Sequence, residues 1–185
     1  MEQKGIALWL TGLSGAGKTT IAYLVGQRLK NDHHVRVQVL DGDLLRKVFS
    51  KDLGFTREDR FRHIERAAFI AKLLIEHGVI TIASFITPYQ EMRDYCRKQI
   101  GSFAEIYIKC PLSECIERDV KGLYKKALKG KIPYFTGISD PYEEPVNPDL
   151  VIETATESPD ESAERVIHFL GRKGYIQSRM EDEQL

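Results

Sequence analysis

The fold is decided by eight consecutive residues, Gly12-Leu13-Ser14-Gly15-Ala16-Gly17-Lys18-Thr19. They match the phosphate-loop pattern G-x-x-x-x-G-K-[ST] at every required position. Phosphate oxygens need several backbone N–H groups that converge from one concave loop, and glycine makes the required turns without a Cβ in the way. We therefore predict that these eight residues, together with Thr20, bind the phosphates of a nucleotide.

Two side chains of this loop are candidates for chemistry. We expect Lys18 to reach the β- and γ-phosphates of ATP as a mobile point charge and to act in catalysis, and the Thr19 hydroxyl to bind Mg²⁺. The helix that is predicted to begin near Lys18 points the positive end of its dipole at the same phosphates. ATP and Mg²⁺ are therefore the predicted cofactors.

Around the loop, short apolar runs alternate with longer helical patterns. The predicted strands cover residues 6–11, 35–40, 79–84, 104–109 and 150–152, and the predicted helices cover residues 18–30, 57–77, 112–119 and 159–173. Strands separated by helices imply βαβ crossovers and a sheet that is covered on both sides. We therefore predict an α/β fold, namely a three-layer P-loop NTPase of the nucleotide-kinase type with a mainly parallel five-stranded sheet.

Composition limits the class of partner. The chain has 185 residues, and its 27 Lys and Arg residues balance its 27 Asp and Glu residues. Proteins that bind duplex nucleic acid or anionic membranes usually carry net positive charge, so neither partner is expected. Three cysteines without a Cys-x-x-Cys pair fit a reduced cytosol, and residues 1–5 lack the layout of a signal peptide. We expect one cytoplasmic kinase domain over residues 1–176 and a polar tail over residues 177–185.

A carboxylate pair, Asp41-Gly42-Asp43, follows the second predicted strand. In an open α/β sheet, ligands bind beyond the carboxyl ends of the strands, so we expect both carboxylates to face the phosphate loop. We predict that Asp41 helps to hold Mg²⁺ and that Asp43 orients an acceptor hydroxyl. The alternative is an Asp-Gly turn in which a carboxylate only caps the next helix.

A lysine-rich segment follows in the second half of the chain. Residues 118–131 carry six basic side chains against one acidic side chain, and the aromatic residues Tyr124, Tyr134 and Phe135 lie among or just after them. We predict a lid over residues 118–145 that closes over two anionic ligands and excludes water, with Gly130 and Gly137 as hinges. Arg118 would then neutralise ATP phosphates. The alternatives are a solvated helix face and a site for single-stranded nucleic acid.

Several further segments resemble the adenylylsulfate kinase family, in the family's order and at close to its spacing. They are residues 41–43 with Arg46, residues 52–55 with Asp59 and Arg60, Phe85-Ile86-Thr87-Pro88-Tyr89, Lys121-Gly122-Leu123-Tyr124-Lys125-Lys126-Ala127, Phe135-Thr136-Gly137-Ile138 and Asp140-Pro141-Tyr142-Glu143. The resemblance implies transfer of the γ-phosphoryl group of MgATP to the ribose 3′-hydroxyl of adenosine 5′-phosphosulfate. The products would be 3′-phosphoadenosine 5′-phosphosulfate and ADP.

The resemblance also implies roles for individual residues on the acceptor side. The implied substrate-binding residues are Asp43, Arg46, Phe55, Arg60, His63, Ile86, Thr87, Lys121 and Phe135. Asp43 corresponds to the carboxylate near the acceptor hydroxyl, and the two arginines grip the substrate. The two phenylalanines surround the adenine. A planar guanidinium suits a phosphosulfate, and the face of an aromatic ring suits a purine.

Three positions depart from the family pattern. His63 stands where asparagine is common, and Gln90 replaces an arginine, which would remove one cation from the site. Thr87 replaces a serine that is described as a phosphorylated intermediate in many members, so Thr87 is a candidate catalytic residue. The apolar spacing of the helix over residues 57–77 places Arg60 and His63 on a face nearer to solvent. A purely structural histidine is the alternative for His63.

Two other functions fit the same motifs. A kinase of the same fold could phosphorylate the ribose hydroxyl of a different small nucleotide, and His63 and Gln90 favour that interpretation. A catalytically silent nucleotide-binding module could regulate a sulfurylase partner, although Lys18, Thr19 and Asp43 are all present. The resemblance also points to a homodimer and to functional coupling with ATP sulfurylase.

Overall fold

The computed structural model describes residues 3–177, which contain one sheet of five parallel strands. The strands are β1 (Ile6–Thr11), β2 (Val37–Asp41), β3 (Ile80–Ser84), β4 (Phe103–Lys109) and β5 (Leu150–Glu153). Their order across the sheet is β2-β3-β1-β4-β5, and each neighbouring pair is parallel. The predicted parallel sheet is confirmed. Of the predicted polar tail, residues 178–185 lie outside the described residues.

Seven helices accompany the sheet within residues 3–177. They are α1 (Lys18–Asn31), α2 (Gly42–Phe49), α3 (Arg57–Glu76), α4 (Gln90–Ile100), α5 (Leu112–Arg118), α6 (Leu123–Leu128) and α7 (Pro159–Arg172). The sequence patterns predict α1, α3, α5 and α7 to within one residue at each end, but they miss the other three helices. Over the same described residues, no helix is both long enough and apolar enough to cross a membrane.

The three missed helices are either short or very polar. In α4 the buried apolar residues Met92, Cys96 and Ile100 recur only every fourth position within a very polar segment. The helices α2 and α6 have eight and six residues, which is too short for a periodic pattern to be read. These helices therefore form because they bury side chains against the rest of the fold, and not because of local sequence alone.

Apolar clusters cover both faces of the sheet. In β1 the side chains of Ile6, Leu8 and Leu10 pack with α1 and α7, while those of Ala7 and Trp9 pack with α2, α3 and α4. All six residues of β1 are buried, as expected for a central strand of a parallel sheet. The predicted three-layer arrangement of helix, sheet and helix is confirmed.

The strand order brings the candidate residues to one edge of the sheet. The phosphate loop leaves the carboxyl end of β1, directly beside the ends of β3 and β4. In the register of the sheet, Ser84 at the end of β3 pairs with Leu10 on one side and with Asp41 on the other. Asp41 is the last residue of β2, so the first carboxylate lies one strand away from the loop.

The position of Arg60 and His63 in α3 corrects a prediction. They were expected on a face nearer to solvent, but their exposed fractions are only 9% and 5%. Arg60 Nη2 donates to the carbonyl of Tyr134 in the lid segment, and His63 Nδ1 lies 2.9 Å from the hydroxyl of Ser50 after α2. Two segments that are distant in sequence therefore cover this face of the helix.

Candidate active site

The phosphate loop, residues 12–19, is shaped by its glycines. A Cβ added to Gly12 would lie 2.4 Å from the carbonyl oxygen of Ile108 in β4, which is too close for any other residue. Gly15 and Gly17 have φ angles of 77° and 100°, in the region that favours glycine. Gly17 is also the N-cap of α1, and it has no side chain to occupy the first N–H groups of that helix. Those N–H groups can therefore bind an anion.

Lys18 is held against the carbonyls of its own loop. Its Nζ donates to the carbonyl oxygens of Gly12 at 2.9 Å and of Leu13 at 2.7 Å. The pKa of Lys18 is lowered to about 8, chiefly by burial and also by the nearby charge of Lys121, although the charges of Asp43 and Asp41 act in the opposite direction. A phosphate at this position would favour the charged ammonium and replace the carbonyl contacts.

Three oxygen atoms meet beside the loop where Mg²⁺ is expected. Thr19 Oγ1 donates to Asp41 Oδ2 at 3.1 Å and lies 3.4 Å from the hydroxyl of Ser84. The other oxygen of Asp41 accepts from the backbone N–H of Leu44 at 3.0 Å and caps α2. A hydroxyl and a carboxylate are hard oxygen ligands of the kind that Mg²⁺ takes in kinases, so the donor set fits the ion.

Arg118 lies on the other side of the loop. Its Nη2 donates to the carbonyl of Thr154 at 2.6 Å, and the Thr154 hydroxyl donates to the carbonyl of Ala16 at 2.8 Å. Thr154 therefore connects Arg118 to the phosphate loop. Thr20, which was also predicted to bind the nucleotide, is exposed in the first turn of α1. Sequence patterns did not indicate Thr154, because its contact to the loop depends on where β5 ends.

On the acceptor side, a carboxylate and a lid lysine form an ion pair. Asp43 lies in the first turn of α2, and Lys121 Nζ donates to its Oδ2. Both side chains are more than half exposed, at 65% and 53%. The lid and the end of β2 therefore approach the same space above the sheet edge.

Two arginines surround Phe55. The guanidinium of Arg46 lies 4.7 Å from the centre of the Phe55 ring, and that of Arg60 lies 5.7 Å from it. Arg60 Nε also donates to the Phe55 carbonyl at 2.9 Å, and Arg46 Nη1 donates to the Gly54 carbonyl at 2.8 Å. Half of the Phe55 side chain is exposed. The cluster thus presents an aromatic ring and two cations, which suits a purine that carries an anionic group.

The chain matches one protein family over most of its length. The family model described as adenylylsulphate kinase matches residues 4–153. The adenylyl-sulfate kinase of Halothermothrix orenii is 54% identical over 175 residues, which are 95% of this chain and 94% of that protein. The chain belongs to the adenylylsulfate kinase family.

Solved structures agree with this assignment. The APS kinase of Mycobacterium tuberculosis, in complex with AMPPNP and APS, is 41% identical and superimposes with a TM-score of 0.88 over 91% of this chain and 98% of that chain. A gluconokinase from Sinorhizobium meliloti is only 13% identical, with a TM-score of 0.56 over 94% of this chain and 95% of that chain. The second likeness shows the shared fold alone.

In this kinase the segment predicted to be a lid contacts both halves of the site. Phe135 is buried, and its ring meets that of Tyr124 in α6 edge to face, with centroids 5.0 Å apart. The Tyr124 hydroxyl donates to the carbonyl of Ser14 in the phosphate loop at 2.9 Å. Arg60 Nη2 donates to the carbonyl of Tyr134, next to Phe135, at 2.6 Å. Tyr124 was not among the predicted site residues, since an isolated tyrosine in a basic helix gives no signal.

Thr87 does not have the surroundings expected of a phosphorylated hydroxyl. Its side chain is 1% exposed, and its Oγ1 accepts a hydrogen bond from Trp9 Nε1 at 2.8 Å. The hydroxyl is therefore directed into the core beneath the sheet edge. The neighbouring carbonyl of Ile86 accepts from Thr11 Oγ1 and from the N–H of Gly12, so Ile86 contacts the phosphate loop through its backbone.

His63 has the surroundings of a structural histidine. Its Nδ1 lies 2.9 Å from the hydroxyl of Ser50, and its ring packs against Phe85 with centroids 5.5 Å apart. The pKa of His63 is lowered to about 4, chiefly by burial and also by the charge of Arg46. The imidazole is therefore neutral near pH 7, and it connects α3 to the end of α2.

The pKa of His63 predicts how stability changes in acid. The folded pKa of about 4 lies below the ordinary value of 6.5, so between these values the unfolded chain binds more protons. The free energy of unfolding should therefore fall as the pH falls from 6.5 to 4. In the variant His63→Asn this loss should be smaller, as measured by urea unfolding across the window.

A matched control tests the source of that effect. Phe69 is an exposed residue of the same helix α3 and does not titrate, so Phe69→Leu should keep the pH dependence of the wild type. Parallel stability curves for the wild type and His63→Asn would show that His63 is not the group that titrates.

Proposed function

We propose that this protein is an adenylylsulfate kinase, which transfers the γ-phosphoryl group of MgATP to the ribose 3′-hydroxyl of adenosine 5′-phosphosulfate. Membership of the family supports this function. The geometric support is that the phosphate loop with Lys18 and the ion pair of Asp43 with Lys121 both lie at the carboxyl edge of the sheet. A triphosphate on the loop and a sugar hydroxyl at the carboxylate would therefore be neighbours.

The donor half of the reaction would rely on positioning and charge. The N–H groups of the loop and Lys18 would hold the β- and γ-phosphates, and Arg118 would neutralise charge from the side of Thr154. Mg²⁺, held by Thr19 and Asp41, supplies neutralisation of the phosphates when it is bound. The lid would exclude water, so that ATP is not hydrolysed in place of the transfer.

On the acceptor half, Asp43 would orient the 3′-hydroxyl and accept its proton late in the transfer. Because Lys121 bonds to Asp43, the entering hydroxyl would displace Lys121, which would then be free to bind the anionic part of the acceptor. Arg46 and Arg60 would hold the phosphosulfate, and Phe55 would pack on the adenine.

The wider organisation of the protein stays a prediction from the sequence. We infer one kinase domain over residues 1–176, in which residues 118–145 form the lid. A homodimer, functional coupling to ATP sulfurylase and a cytoplasmic location would agree with the family assignment. A catalytically silent module is disfavoured, since Lys18, Thr19, Asp41 and Asp43, which the transfer would need, are all present.

The direct test is to incubate the purified protein with MgATP and adenosine 5′-phosphosulfate and to identify the products by mass. We expect 3′-phosphoadenosine 5′-phosphosulfate and ADP in equal amounts. Parallel reactions with other adenine nucleotides as acceptors test the choice of substrate. Faster turnover of one of those nucleotides would contradict the proposal.

Removal of the Asp43 carboxylate should stop turnover without preventing nucleotide binding. In Asp43→Ala we expect kcat to fall by at least ~100-fold, the scale of a positioned general base. ATP affinity, measured by calorimetry, should be largely retained because the phosphate loop is unchanged. Asp160→Ala is the control, since Asp160 pairs with Arg28 on the outer surface of α1 and α7. Turnover near the wild-type rate in Asp43→Ala would remove Asp43 from the chemistry.

Removal of Lys121 should specifically weaken the binding of the acceptor. In Lys121→Ala we expect kcat/KM for adenosine 5′-phosphosulfate to fall by about tenfold or more, the scale of one hydrogen bond to a charged group. Lys129→Ala is the matched control, because Lys129 is an exposed residue of the same lid at the end of α6. If steady-state kinetics give an unchanged kcat/KM for Lys121→Ala, the lysine does not bind the acceptor.

A further inference from the structure

A buried arginine in α4 joins parts of the chain that surround the site. The Arg93 side chain is 1% exposed. Its Nη1 donates to the carbonyl of Thr87 at 2.8 Å, and its Nη2 donates to the carbonyl of Glu143 and to the side-chain oxygen of Gln90, both at 2.7 Å. Its Nε lies 3.0 Å from a carboxylate oxygen of Glu105 in β4. One guanidinium thus contacts four groups, of which one lies on its own helix and the others lie in three different segments.

Two of those segments border the acceptor side. We call residues 85–89 the acceptor loop, which follows β3, and residues 140–144 the lid root, where the lid returns to the sheet. The N–H of Glu143 donates to the carbonyl of Pro88 at 2.8 Å, and the Tyr89 hydroxyl donates to Asp140 Oδ2 at 2.8 Å. The acceptor loop and the lid root are therefore bonded to each other, and Arg93 binds both.

The same two segments contact the entry to the phosphate loop. Thr11, the last residue of β1, donates through Oγ1 to the carbonyl of Ile86 in the acceptor loop at 2.7 Å. Its Oγ1 also lies 3.3 Å from the hydroxyl of Tyr142 in the lid root. A displacement of either segment would therefore change its position relative to the phosphate loop.

The planar shape of arginine is required for these contacts. A guanidinium presents several N–H groups in a rigid fork, whereas the ammonium of lysine is a compact point charge. The Thr87 carbonyl that Nη1 binds belongs to a residue with a φ of 45°, a strained conformation for a β-branched side chain. Glu105, which is 2% exposed, supplies the opposite charge that a buried guanidinium needs.

We propose that Arg93 is a positioning residue for the acceptor: it holds the acceptor loop and the lid root in register with the phosphate loop. Arg93 itself touches no reacting atom, and it acts through the backbone of Thr87 and Glu143. The identity of the acceptor rests on the proposed function, but the positioning role does not.

The kinetic test uses Arg93→Lys, which keeps the charge and removes the fork. We expect KM for adenosine 5′-phosphosulfate to rise by about tenfold or more, the scale expected when a remote change misplaces a substrate. ATP affinity, measured by calorimetry, should stay within about twofold, because the loop that binds ATP keeps its own contacts. An unchanged acceptor KM, or an equal loss of ATP affinity, would overturn the proposal.

The matched control is Arg97→Lys. Arg97 lies one turn further along α4 and pairs with the same Glu105, but it is 42% exposed and its other partner is Asp149. We expect Arg97→Lys to keep the kinetics of the wild type. If Arg93→Lys does not fold, Glu105→Gln provides the same comparison, since it keeps the shape of the pair and removes the charge that anchors Arg93.

Hydrogen exchange gives a readout that does not depend on the acceptor. The exchange rate of the Glu143 N–H, which is bonded to Pro88, is measured relative to the amides of β1 in each variant. This relative rate should be higher in Arg93→Lys than in Arg97→Lys. Equal protection in the two variants would overturn the positioning role. Absence of turnover by the wild type would instead overturn the proposed function, so the two failures are distinguishable.

Discussion

The site depends on the parallel pairing of β1 with β3 on one side and with β4 on the other. Because parallel strands end at the same edge, this pairing brings the phosphate loop, Ser84 and the start of the acceptor loop together. The loop leaves β1 so close to β4 that Gly12 has no space for a side chain beside Ile108. A slip of one residue would also reverse which side chains of β1 face each helix layer. The packing of the core and the geometry of the site are thus fixed by one register.

Positive and negative side chains lie together at this edge of the sheet. Lys18 donates to two carbonyls of its loop. Burial is the main cause that lowers its pKa to about 8, while Asp43 and Asp41 favour its charged form. Lys121 opposes that effect, because it brings a second positive charge to the same space. An entering triphosphate would shift this balance towards the charged ammonium, so binding of the nucleotide would strengthen the contact on which transfer relies.

The sequence predicts the parts of the molecule that are determined locally. The glycine pattern of residues 12–17 is specific to a phosphate loop. The strands and the long helices have clear apolar patterns, so both the loop and the sheet could be predicted. The burial of Arg60 and His63 could not, because Tyr134 and Ser50 cover them from distant positions. For the same reason, Ser84 and Thr154 become neighbours of the loop only when the sheet has formed. The missed residues are those whose position depends on tertiary packing.

The contacts of the three residues that depart from the family pattern explain what these residues do. His63 and Gln90 were the basis for a different nucleotide acceptor, and Thr87 was a candidate catalytic residue. Yet His63 is neutral and bonded to Ser50, and the Thr87 hydroxyl is bonded to Trp9. The side chain of Gln90 is bonded to Arg93 and Asp94 rather than directed at the acceptor. Because all three polar groups are engaged within the protein, these substitutions adjust how α2, the acceptor loop and α4 pack. The charges available to the substrate remain those of Arg46, Arg60 and Lys121, which suit an anionic nucleotide such as adenosine 5′-phosphosulfate.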